Sequence, residues 1–171
     1  VADGQRLDWR RVPGGSGQIA LMEVGRTRDF VRRAGNHAKW VTSVGTGALV
    51  LGAAGLLQGY RATTHWGSLD QLSLLGATPV AERVVRDGNR ITGAGVTSGI
   101  DFALTVAEEL FGREVAENIQ LQMEYDPEPP FNSGSPRSAS PERLAQAKIQ
   151  MQDFIARRRV ATEAAAAKLK R

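Results

Sequence analysis

Apolar and polar residues alternate along the chain in two periods, and the changes of period mark the elements. From Gln18 to Ala34 apolar positions recur at helical spacing, with Ile19, Met22, Phe30 and Val31 on one stripe, which predicts a helix. Lys39 to Val44 is a short β-branched run that predicts a buried strand. It passes with no intervening loop into a helix of small residues, Thr46 to Leu56. Arg61 to Thr64 reads as the next strand. Ser68 to Leu75 reads as a helix ended by Gly76. Arg83–Arg86 and Arg90–Thr92 flank Asp87-Gly88-Asn89, a hairpin signal, because Gly and Asn tolerate the positive φ of a tight turn. Gly93-Ala94-Gly95 is a second glycine-rich turn. Helices follow from Ile100 to Phe111, with Ile100, Ala103, Leu104, Ala107 and Leu110 in phase, and from Glu114 to Tyr125.

The stretch from Asp126 to Ser140 holds four of the seven prolines and predicts a loop over 126–140. Ser140 and Pro141 then supply an N-cap and a first-turn proline for a C-terminal helix over 141–171. Strands that alternate with helices predict an α/β fold, a mostly parallel sheet with helices on both faces, in one domain over 1–171. Such sheets carry their sites beyond the carboxyl ends of the strands. Two junctions qualify: Pro13 to Gly17, and Val44 to Gly47.

The first strand candidate, Leu7-Asp8-Trp9-Arg10-Arg11, does not read as a central parallel strand, which would be apolar throughout. Two buried arginines without partners would be costly there. The pattern predicts an edge position, a distortion, or partners elsewhere.

Composition narrows the chemistry. The 171 residues are 42% hydrophobic and 23% charged, ordinary for a globular domain. No apolar run reaches the roughly 18–20 residues that span a bilayer, and the N-terminus lacks the pattern of a signal peptide. The expected setting is therefore the cytoplasm, with no membrane partner. There is no cysteine, which excludes disulfides and thiol catalysis within these residues. The two histidines, His37 and His65, lie far apart without metal-ligand spacing, so no metal is expected. The net charge of +4 owes most to the C-terminal end: Arg157-Arg158-Arg159, then Lys168, Lys170 and Arg171. No aromatic residues interleave with these cations. The triplet reads as a solvated helix face rather than a nucleic-acid surface.

Val41-Thr42-Ser43-Val44-Gly45-Thr46-Gly47 has the layout of a nucleophile elbow, in which a strand turns sharply into a helix and the turn residue projects into a site. It is equally the layout of a tight turn that uses Gly45 for backbone freedom. Pro13-Gly14-Gly15 could present backbone N–H groups to a developing anion, or be a plain turn. His65, after a Thr-Thr pair at a strand end, could face a site or be structural.

Val41 to Leu57 resembles the elbow and following helix of the DJ-1/PfpI (ThiJ) superfamily. Arg61-Ala62-Thr63-Thr64-His65-Trp66 and Gly93 to Leu104 resemble its next blocks. Gln120 to Pro136 resembles the isonitrile hydratase branch, and also the amidase-like domain of some AraC-type regulators. The resemblance implies a flavodoxin-like three-layer sandwich and a homodimer. It implies hydration of a small-molecule isonitrile to an N-substituted formamide by an elbow cysteine thiolate, with no cofactor. It assigns Gly45 to the nucleophile position, vacant here, and Thr46 to its neighbour. Gly14, Gly15, Thr46, His65 and Ala94 become the oxyanion and substrate-binding positions, Ala94 replacing a residue often glycine in relatives. The resemblance further implies that N-terminal strands, with the acid that partners the cysteine, precede Val1. The expectation is an inactive hydratase-like chain. A non-catalytic ligand-sensing module of the AraC type is the alternative; it would need a helix-turn-helix beyond Arg171, so no nucleic-acid partner is expected.

Overall fold

The structure, a computed structural model, describes residues 9–169. The sheet strands are β1 (Trp9–Val12), β2 (Trp40–Val44), β5 (Val84–Asp87) and β6 (Arg90–Gly93), in the order β1-β2-β6-β5. β1, β2 and β6 are parallel, and β5 runs antiparallel to β6. β3 (Arg61–Ala62) and β4 (Thr78–Pro79) form a separate two-stranded parallel sheet. The helices are α1 (Gln18–Glu23), α2 (Gly25–Asn36), α3 (Gly47–Ala53), α4 (Gln71–Leu74), α5 (Ser98–Phe111), α6 (Arg113–Gln122) and α7 (Pro141–Leu169), with a 3-10 turn at Trp66–Ser68. No helix among the described residues is long and apolar enough to cross a membrane.

Side-chain alternation along β2 builds the three layers. Val41 joins the core with Met22, Leu49, Leu51, Leu57, Leu72, Ala161 and Ala165, which come from α1, α3, α4, α7 and the segment after α3. Trp40 and Val44 point to the opposite face and pack with Ile91, Phe102 and Val106 under α5. Both faces of β2 are thus buried, as an apolar central strand requires. β1 lies at the edge of the sheet among the described residues, which resolves its polar character: Trp9 and Arg11 are exposed and Arg10 is half-buried. Leu7 and Asp8 of the strand candidate lie outside the described residues, as do Lys170 and Arg171.

Several expectations shift in detail. The helix expected over Gln18–Ala34 is two helices broken at Val24, which is extended at φ −76° and ψ 112°. Arg28, buried, donates from Nη1 to the carbonyls of Met22 and Glu23 and so satisfies the end of α1. Phe30, expected on the apolar stripe, is exposed on α2. On α5 the buried face carries Ser98, Phe102 and Val106, not the Ile100–Leu110 stripe. The residues 126–140 form neither helix nor strand, and the Ser140 Oγ accepts from the Arg143 N–H at 3.3 Å to cap α7.

The Arg157–Arg159 triplet is the largest correction. It is not a uniformly solvated face: Arg158 is only 5% exposed. Phe154, three and four residues back on α7, interleaves after all, and its ring lies 5.7 Å from the Arg157 guanidinium and 4.5 Å from that of Arg158.

Candidate functional site

Beyond the carboxyl ends of β1, β2 and β6 lies a cavity of about 620 Å³. The elbow forms its floor. Gly45 has φ +58°, the left-handed region that costs an L side chain energy and glycine almost none. Three hydrogen bonds fix it there: its N–H donates to the Gly93 carbonyl at 2.9 Å, and its own carbonyl accepts from the Thr64 hydroxyl at 2.8 Å and the Ala48 N–H at 3.3 Å. A Cβ on Gly45 would have only ordinary neighbours, the Ala94 carbonyl oxygen at 3.6 Å and the Gly14 Cα at 3.8 Å. The position has room for a Cβ but a backbone conformation that favours glycine.

The Pro13-Gly14-Gly15 loop closes over this floor. Gly14 lies so near the elbow that a Cβ would stand 2.8 Å from the Thr46 nitrogen and 2.9 Å from the Val44 carbonyl oxygen. The Gly15 N–H donates to the Thr46 hydroxyl at 3.2 Å, so this donor is spent on holding the loop to the elbow. Gly14, Gly15, Gly45, Thr46 and His65 therefore line one cavity together. Ala94 lines an adjoining cavity of about 560 Å³, which shares His65, Gly95 and Val96 with the first.

His65 caps the 3-10 turn: its Nδ1 accepts from the Gly67 N–H at 3.2 Å, which leaves the proton of the neutral ring on Nε2. Burial first, and the Arg158 charge second, hold its pKa below the ordinary 6.5. The imidazole is neutral near pH 7.

Two residues that shape the candidate site escaped the sequence reading. Thr64 pins the elbow carbonyl; the Thr-Thr pair marked only a strand end. Arg158 reaches the cavity wall from α7, more than a hundred residues after the elbow. Its Nη1 donates to the Ser68 hydroxyl at 2.6 Å, and burial pulls its pKa down from the usual value. The periodicity of the triplet could have flagged it, since Phe154, Arg158 and Ala161 share a helix face. None of the described residues lining the cavity is a carboxylate. No cluster of three or more His, Asp or Glu that could hold a metal occurs among the described residues.

Against known proteins, the model of the DJ-1/PfpI family matches residues 3–109. An isonitrile hydratase of Pseudomonas putida is 56% identical over 163 residues, which cover 95% of this chain and 72% of that protein. A THiJ/PfpI family protein from Pseudomonas syringae superposes with a TM-score of 0.82 at 44% identity, covering 96% of this chain and 67% of that one. The HTH-type transcriptional regulator CdhR of Pseudomonas aeruginosa is 35% identical over 95 residues, 54% of this chain and 28% of the regulator. The family match spans more than half of the chain, the similarity to the hydratase covers nearly all of it, and the chain belongs to the DJ-1/PfpI family.

Proposed function

We propose that this chain holds the binding pocket of an isonitrile hydratase without its nucleophile: it binds a small isonitrile, or the corresponding formamide, and does not turn it over. The observation that carries this reading is Gly45, held at φ +58° on the floor of the cavity, where a Cβ would make only ordinary contacts and no side chain stands. Hydration through a covalent intermediate needs an attacking thiolate at that point, and the chain has no cysteine. The similarity to the Pseudomonas putida enzyme supports the ligand class. In this reading Thr46 holds the glycine loop over the elbow, His65 offers an Nε2–H to a ligand, and Ala94 borders the neighbouring compartment. Homodimerisation belongs to the same reading and is supported by the family resemblance; a cytoplasmic setting is part of it as well.

Incubation with an aromatic isonitrile, followed by chromatography for the formamide, tests the silence of the site. No formamide above the uncatalysed background is expected. Turnover at the level of a cysteine-bearing relative would refute the reading. A ligand-sensing pocket of the regulator type is the second reading. The stretch shared with CdhR favours it, and it too predicts binding without turnover.

A further inference from the structure

The cavity above Gly45 has a charge character that a neutral isonitrile does not call for. Arg158 is 5% exposed and stands on the cavity wall. Its Nη1 is committed to Ser68, while Nε is buried with no hydrogen-bond partner. It makes no ion pair with any described residue. The next residue, Arg159, is exposed and holds both Asp70 at 2.8 Å and Glu163 at 3.0 Å. Carboxylates are thus within reach of this part of α7, and the buried arginine has none. A desolvated guanidinium without a counter-ion is costly unless something else supplies the negative charge. The cavity lining bears a second cation, Arg11 of β1, and no described carboxylate. On α7 beside Arg158, Met151, Phe154 and Ile155 make the lining apolar. The guanidinium edge left without a described partner, Nε and Nη2, is the edge that pairs both oxygens of a carboxylate.

We propose that the ligand of this pocket carries a carboxylate on a short apolar chain, and that Arg158 is the residue that recognises it. Joined to the isonitrile reading, on which the other end of the ligand rests, this names the class: an isocyano carboxylate, R–NC, and the N-formylamino carboxylate, R–NH–CHO, that addition of one water gives. The apolar wall takes the aliphatic chain and the elbow takes the isonitrile or formyl carbon. If Arg158 served only to clamp α7 to the 3-10 turn through Ser68, the pocket would have no preference between an acid and its amide.

Isothermal titration of the intact chain at pH 7 with four probes decides this: N-formyl-L-leucine, its neutral amide, 4-methylpentanoate and N-cyclohexylformamide. The acid is expected to bind about tenfold or more tightly than the amide. The Arg158→Gln substitution, which retains a donor for Ser68, should erase that preference. Equal binding of acid and amide, alongside binding of N-cyclohexylformamide, overturns the proposal and leaves the isonitrile reading standing. If 4-methylpentanoate binds as tightly as N-formylleucine, the role of Arg158 holds and the isonitrile reading fails. A preference that survives Arg158→Gln assigns the carboxylate to another group and overturns the proposal. No binding of any probe overturns both. Should Arg158→Gln fail to fold, the acid-to-amide ratio of the unaltered chain still decides.

Discussion

Replacing Gly45 by alanine asks whether the elbow is strained or merely tight. The backbone there cannot relax cheaply. The peptide before it is tied to Gly93, and the carbonyl after it to Thr64 and Ala48. An added Cβ meets nothing closer than 3.6 Å, so no steric overlap enters the balance. What remains is conformational. Holding an L residue in the left-handed region costs about 1–2 kcal/mol. Removing a glycine from the unfolded chain returns about 0.4–1 kcal/mol. The cost exceeds the gain, and the net loss is about 1 kcal/mol. For a chain of this size that lowers Tm by about 2–4 °C. Gly95→Ala is the control: Gly95 lies outside the left-handed region and its Cβ would meet nothing within 4 Å, so its Tm should hold or rise slightly. Paired thermal melts by circular dichroism read the difference. A Tm for Gly45→Ala equal to or above that of Gly95→Ala would refute the strain argument.

Three further expectations follow from the same geometry. Gly47→Ala should destabilise more than Gly45→Ala, by about 3 kcal/mol or enough to prevent folding, because its Cβ would overlap the Val12 carbonyl oxygen and crowd that of Pro13; a melt within 2 °C of the parent would contradict it. Gly45→Cys should yield a thiol that iodoacetamide alkylates quickly at neutral pH, its pKa drawn below about 8.5 by the Arg158 charge lining the same cavity, yet formamide production should stay poor because no described carboxylate lines the cavity to manage the proton; full turnover from this single change would show that a proton donor already stands in place. The His65 imidazole should titrate by NMR below 6.5, and Arg158→Gln should move it upward without restoring the ordinary value, since burial is the larger cause. The sign for stability follows: the unfolded chain binds the His65 proton more readily, so this contribution is full above about 6.5 and is lost as the pH falls through the depressed value.

The sheet strands and their order of appearance were legible because buried strands and tight turns have local signatures. Trp40–Val44 is rich in β-branched residues and buried on both faces, and Asp87-Gly88-Asn89 is a turn whatever surrounds it. The break at Val24 was not legible. It depends on Arg28 reaching back to cap Met22 and Glu23, a contact that no period encodes. The α5 stripe misled for a related reason. Two apolar faces compete on that helix, and the one around Phe102 wins because β2 and β6 present Trp40, Val44 and Ile91 to it.

At the site the contrast is sharper. Gly45 could be singled out from the strand-turn-helix layout and Gly14 from its own Pro-Gly-Gly turn, because each motif is made by neighbours in sequence, and the resemblance added Thr46. Arg158 could not, because its role is set by where α7 returns to the fold. Its triplet contains three cations of identical local chemistry and three different outcomes. Arg157 has only the Phe154 ring, at 5.7 Å, among its described partners, Arg158 turns inward to Ser68 and lies closer to that ring, and Arg159 pairs with Asp70 and Glu163. A helix turns by about 100° per residue, so one of three consecutive side chains must face inward once α7 packs on α1 and α3. Which one it is follows from Ala161 and Ala165, small residues that let the helix approach the core and fix its rotation. Arg158 precedes Ala161 by three and Ala165 by seven, on the same face. The alanines therefore determine which arginine is buried, and a substitution of either by a larger residue acts on the pocket through Arg158.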